Sequence, residues 1–229
     1  MNLKKIFLAA ICGGALVTGA IADNHPYGMD IAAGIVGFES IKYKVDSVEK
    51  SAKVVNIFPL KVNTYCCPWL NNHLGIYGSV GLHTGILFDQ KAKSGGTEIK
   101  NDDAFLNLGF EFMLGPAFGV DLGDSGIRFQ VGAPLHLMGG FYYWENTKGT
   151  LKTTITYGFI GMALTPQFRF MANRRCSLVV GADFVFDFAL NYTATNEAEK
   201  VKTTSAEHSK DGLRFACTPY IGLGINFGD

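Results

Sequence analysis

Charge is scarce in this chain and leans to neither sign, with Lys+Arg 20 against Asp+Glu 20 and only 17% charged residues in all. A nucleic-acid partner needs a basic footprint, so that class of function is excluded. Long hydrophobic runs are missing as well. Beyond residue 22 no 18 consecutive residues are apolar, which excludes a membrane-spanning helix. The chain has no His-Glu-x-x-His, no phosphate-binding loop and no Cys-x-x-Cys, so nothing points to a metal, nucleotide or redox centre, and no cofactor is expected. Apolar residues, in contrast, are plentiful at 48%, beside 28 glycines, which is not the profile of a disordered chain.

The amino terminus reads as an export signal. Lys4 and Lys5 precede an apolar run from Ile6 to Val17, and Gly19-Ala20-Ile21-Ala22 follows as a small-residue cleavage site. The reading removes residues 1–22 as a signal peptide and leaves 23–229 as one domain. Gly13, Gly14 and Thr18 interrupt the run too early for an anchor, and bulky Ile11 before Cys12 argues against lipidation.

Beyond the signal, the hydrophobic pattern has a period of two, the mark of strands. Between Ile127 and Phe141, Phe129, Val131, Leu135 and Leu137 alternate with Arg128, Gln130, Gly132, His136 and Met138. After Ser177, Leu178, Val180, Phe184, Phe186 and Phe188 alternate with Gly181, Asp183, Asp187 and Ala189. Similar segments begin near Leu74, Phe105, Gly158 and Leu213, and Met29 to Ile41 and Val54 to Cys66 bring the count to eight, the first with ambiguous facing and room for a bulge. Long polar connections near 44–53, 91–103, 145–152 and 195–211 alternate with short ones near 67–73, 121–126 and 172–177. Eight up-and-down strands with both termini at one end produce that alternation, the long loops facing outside.

Residue size decides which face is inside. An eight-stranded barrel has an interior just wide enough for side chains to fill, and a row of phenylalanines would overfill it. The apolar face therefore points to lipid, and closure leaves no unpaired edge there. The fold class expected is all-β, an eight-stranded antiparallel up-and-down transmembrane β-barrel, located in a bacterial outer membrane. Aromatic belts are expected at Phe88, Tyr142, Tyr143, Trp144 and Tyr192 outside, and at Trp69, Phe118, Phe170 and Phe227 on the periplasmic side. The rival is a secreted β-sandwich or lipocalin-like barrel with Phe112, Phe186 and Phe188 in a common interior.

The mature chain resembles the small eight-stranded outer-membrane proteins of the OmpA, OmpX and OmpW type. The most specific local piece is Tyr220-Ile221-Gly222-Leu223-Gly224-Ile225-Asn226-Phe227, which looks like the terminal signal that such barrels present to the membrane assembly machinery; here Gly228 and Asp229 follow it. The resemblance implies that machinery and outer-membrane lipids as partners.

The inward face supplies the candidate site. Lys61, Glu111, Arg128, His136, Arg169, Asp183, Asp187 and Arg214 should form a polar network in the lumen, because an isolated buried charge is very costly. Pairing about the short turns brings Glu111 toward His136 and Arg169 toward Asp183. The network is expected to plug the barrel, in a structural or passive small-solute transport role, with a polar route or small-ligand pocket as the functional variant. The alternative is a surface adhesin or ligand-binding barrel using the polar loops, above all Thr195 to Gly212. A lipid-modifying enzyme ranks last, and no enzyme is expected: Ser79 and His83 lie four residues apart on one strand, about 13 Å, too far for a nucleophile and its base. Cys66, Cys67, Cys176 and Cys217 are expected as free or alternatively paired thiols, since the turns carrying the first three sit apart on the rim.

Overall fold

The computed structural model describes residues 27–226, except 35, 46–47, 58, 67–72, 95–96, 102, 146–150, 173–175, 199–200 and 210–211. The signal segment 1–22, Cys67, Trp69 and Phe227 lie outside the described residues.

Thirteen strands are described, and they run as eight legs. Leg 1 is β1 (Tyr27–Gly34) and β2 (Val36–Val45), and leg 2 is β3 (Val48–Ile57) and β4 (Leu60–Cys66). Leg 3 is β5 (Leu74–Ser94), and leg 4 is β6 (Thr97–Asn101) and β7 (Phe105–Asp121). Leg 5 is β8 (Ile127–Gly132) and β9 (Leu135–Glu145), leg 6 is β10 (Leu151–Met171), leg 7 is β11 (Cys176–Ala198), and leg 8 is β12 (Val201–Ser209) and β13 (Leu213–Asn226). Each leg pairs antiparallel with the next, and leg 8 returns to leg 1 through Met29↔Ile225 and Phe38↔Cys217. The sheet is thus a closed antiparallel up-and-down barrel, beyond which β6 and β12 extend as hairpin strands paired only with β5 and β11.

Alternation sorts the side chains as hydrocarbon demands. Phe186 and Phe188 are about half exposed on the outside, at 48% and 53%, while Glu111 and Asp187 inside are 4% and 1% exposed. A water-soluble barrel would reverse these faces, so the rival fold is excluded. Leu106, Leu108, Phe110, Leu114 and Phe118 on β7, and Ile160, Met162, Leu164, Phe168 and Phe170 on β10, continue the apolar exterior.

Four expectations are corrected. The polar connections are mostly strand: the hairpin ladders run to Val45↔Val48, Ser94↔Thr97 and Ala198↔Val201, because pairing continues after the lipid-facing alternation ends. Tyr142 and Trp144 face the lumen instead of forming a lipid belt; Tyr142 is buried and Trp144 packs on the same interior cluster, since both share the parity of Met138. The segment from Val54 to Cys66 is two strands, β3 and β4, with Pro59 between them and its carbonyl accepting from Gly34 N–H at 2.8 Å. The fourth concerns the partner of Arg169 and is given with the site.

Leg 1 changes parity midway. From Gly34↔Tyr220 to Phe38↔Cys217 it uses one residue more than leg 8, so Asp30 and Glu39, nine apart, both point inward. An extra residue of this kind is a β-bulge in its effect.

Candidate functional site

The lumen is filled in layers. Nearest the short-turn end, Arg169 Nη2 donates to both carboxylate oxygens of Asp30, at 2.5 and 2.6 Å, and Nη1 donates to Ser177 Oγ. Arg128 Nη1 binds Asp121 at 2.9 Å at the rim. Above these, Gln167 donates to Gln130 at 2.6 Å and accepts from the Tyr220 hydroxyl at 3.0 Å. Lys61 bonds to Asp183, and its ammonium stands 3.5 Å over the Tyr220 ring, a cation held by a carboxylate and a π-face together.

Arg169 therefore does not meet Asp183. In the register Arg169 faces Val179, and Asp183 lies four residues further along β11, roughly 13 Å. At that depth the nearest cation is Lys61, from leg 2 across the lumen.

The next layer is one connected network. His83 Nε2 and His136 Nε2 converge on Glu111 Oε2, at 2.9 and 3.4 Å. His136 Nδ1 reaches Asp187 Oδ1 at 2.7 Å. Arg214 then donates to Asp187 at 2.6 Å and to Glu39 at 2.8 Å. Glu39 accepts from Asn56, Asn56 accepts from Asn107 at 2.9 Å, and Asn107 accepts from the Tyr157 hydroxyl at 2.7 Å. Every leg contributes to this chain: Glu39, Asn56, His83, Glu111 with Asn107, His136, Tyr157, Asp187 and Arg214, in leg order. Charges taken out of water are tolerated here because each meets an opposite charge in a low-dielectric interior.

Toward the hairpin end the lumen becomes apolar. Ile41, Val54, Leu87, Phe105, Tyr142 and Phe159 pack there, with the Tyr142 and Tyr157 rings stacked at 4.5 Å.

All eight residues singled out in the sequence lie buried within the barrel, but the lumen holds further polar partners that the sequence reading did not assign to the network, among them Asp30, Glu39, Asn56, His83, Asn107 and Tyr157. Asp30 and Glu39 were hidden by the parity change of leg 1. Asn56 and Asn107 carried a usable signal, each being polar at an inward position. Ser79 and His83 are both buried on one face of β5, and His83 is directed to Glu111. Cys217 is a free thiol among the described residues, and neither the Cys66 side chain nor Cys67 is described. No group of three or more potential ligands suited to a metal ion occurs among the described residues.

No protein-family model matches the sequence, and no curated protein does. Among solved structures the chain is similar to the outer membrane protein OprG from Pseudomonas aeruginosa, at 13% identity and a TM-score of 0.51, covering 90% of this chain and 99% of that one. It is also similar to a major outer membrane protein from Thermus thermophilus, at 13% identity and a TM-score of 0.54, covering 88% and 99%. These likenesses extend over nearly the whole of each neighbour and show the fold, that of a small outer-membrane β-barrel.

Proposed function

We propose that this chain is an integral β-barrel of a bacterial outer membrane whose interior is a closed, ion-paired plug, giving it a structural role instead of that of an open pore. One observation carries the reading. Arg169, His136, Asn56, Asn107 and Asp30 all face the lumen, yet each has essentially no surface that water can reach. A passive route for small solutes would leave such groups wet. The apolar exterior supplies the membrane part of the reading, since large side chains half exposed around a closed sheet are stable only against hydrocarbon.

Conductance of the purified, refolded full chain in planar bilayers tests the plug. The expected result is membrane insertion without steady current; a steady open current would refute the closed interior and favour solute passage.

A second reading, recognition of external ligands, rests on the ladder of β11 and β12, which continues from Leu190↔Ser209 to Ala198↔Val201 with mostly polar sequence. Ligand binding lost on replacing residues 195–211 would favour it, and unchanged binding would count against that hairpin.

A further inference from the structure

The outward face of legs 1 to 4 changes character toward its hairpin end, and the strand register shows how. Phe38, Val55, Ile86 and Leu106 form one apolar row across four neighbouring legs. The next row is Ser40, Lys53 and Phe88. Above it stand Lys42, Ser51, Lys91 and Lys100, and above those Lys44, Glu49, Lys93 and Glu98. With rows about 7 Å apart, lysines begin directly where the apolar band ends.

Two features mark these rows as a place for anions. Lys91 and Lys100 are directly cross-strand, an arrangement that is destabilising on its own. Asp89 is held by Lys53 at 2.7 Å and stands 3.8 Å from Lys91, and Glu98 is 3.9 Å from both lysines, the limit of ion pairing. Lys42 has no ion pair among the described residues. Among the described residues, six lysines thus stand with four carboxylates, Glu49, Asp89, Glu98 and Asp103, on this half of the rim. On the far side Lys152 and Glu145 pair one to one at 3.4 Å.

The direction of these side chains selects the occupant. They share the outward face with Phe38, Ile86 and Phe88, so they project sideways over the lipid instead of upward into water. A molecule seated on them must set an apolar tail against the row below and an anionic head against the ammonium groups. We propose that Lys42, Lys91 and Lys100 hold the phosphates of an anionic glycolipid of the outer leaflet, with its acyl chains lying on Phe38, Ile86 and Phe88. This assignment rests on the outer-membrane reading above.

The test is native mass spectrometry of the refolded full chain released from phosphatidylcholine nanodiscs containing either diphosphorylated or dephosphorylated lipid A. The wild-type chain should retain the diphosphorylated form at least about tenfold over the other. The variant Lys42→Gln/Lys91→Gln/Lys100→Gln should lose that preference, and the matching arginine variant should keep it. Should the glutamine variant not fold, the single changes Lys91→Gln and Lys100→Gln, which relieve a like-charge pair, decide the matter through a partial loss of retention. Unchanged retention in the glutamine variants would overturn the proposal. So would displacement of the lipid by soluble polyphosphate at equal phosphate concentration, which would make the rows a general polyanion surface. A chain that enters neither kind of disc, and shows no heat-modifiable band on a gel, would refute the membrane reading itself.

Discussion

His136 and Asp187 join across a leg that separates them: His136 is on leg 5, Asp187 on leg 7, and both lie opposite Gly161 of leg 6 in the register. His136 Nδ1 and Asp187 Oδ1 are nevertheless 2.7 Å apart. Glycine makes this possible by leaving the inner surface of leg 6 bare at that point. The register of legs 6 and 7 also shifts by one residue just there, between Ile160 and Gly161, which brings Asp187 level with the gap.

Gly161→Ala should therefore break the network. The new Cβ would stand 2.5 Å from Asp187 Cα and 2.6 Å from its Oδ1, and closer still to the Phe186 carbonyl oxygen. A loss of about 1 to 3 kcal/mol is expected in urea unfolding of the vesicle-folded barrel. Gly158→Ala, whose Cβ would meet only the Met138 carbonyl at 3.9 Å, should be close to neutral. Equal stability of the two variants would contradict the role assigned to Gly161.

Asp30 and Arg169 offer a separation of pairing from burial. Asp30→Leu leaves a fully buried guanidinium without its bidentate partner and should cost about 3 to 5 kcal/mol. Combining it with Arg169→Met removes both charges, and the double variant should regain most of that loss. A double variant as unstable as the single one would show that the pair does more than neutralise itself.

Leu164 is on the outward face, opposite Phe184 and near the middle of the apolar band. Leu164→Arg should weaken insertion by about 2 to 4 kcal/mol, read from folding equilibria into lipid vesicles. The same change at Lys53, already at the polar edge, should be tolerated. Equal tolerance at both positions would contradict the assigned lipid face.

Asp89 lies at the hairpin end, beyond the apolar band, with a positive φ of 50° where leg 3 bulges opposite Ala52. It accepts a bond from Lys53 at 2.7 Å, and that bond holds its carboxyl below the usual carboxylate range. Since the folded pKa is the depressed one, the contact contributes fully above the unfolded value of about 3.9 and fades as pH falls through the folded pKa. In an NMR titration Lys53→Gln should raise the Asp89 midpoint toward that ordinary value. A midpoint that does not move would exclude Lys53 as the cause.

Much of this could be read from residue order. Alternation along β7, β10, β11 and β13 assigned faces, and phenylalanine size assigned the larger face to lipid. Alternation fails where the count slips by one. Leg 1 does this between Gly34 and Phe38, hiding Asp30 and Glu39 on what looked like mixed faces. Polarity also misled at the hairpin ends, where residues such as Lys42 and Lys91 remain in the ladder although nothing apolar lies outside them.

Residue order by itself determined that this is a strand protein with an apolar outside and an ionic inside, because a period of two and the bulk of phenylalanine act locally. Local pairing about a short turn was enough to bring Glu111 to His136, but the other partners were decided by closure. Lys61 finds Asp183, Arg169 finds Asp30 and His136 finds Asp187 across the lumen, through stagger, bulges and one bare glycine. Those distances depend on how all eight legs are set against one another, a quantity that no single segment carries.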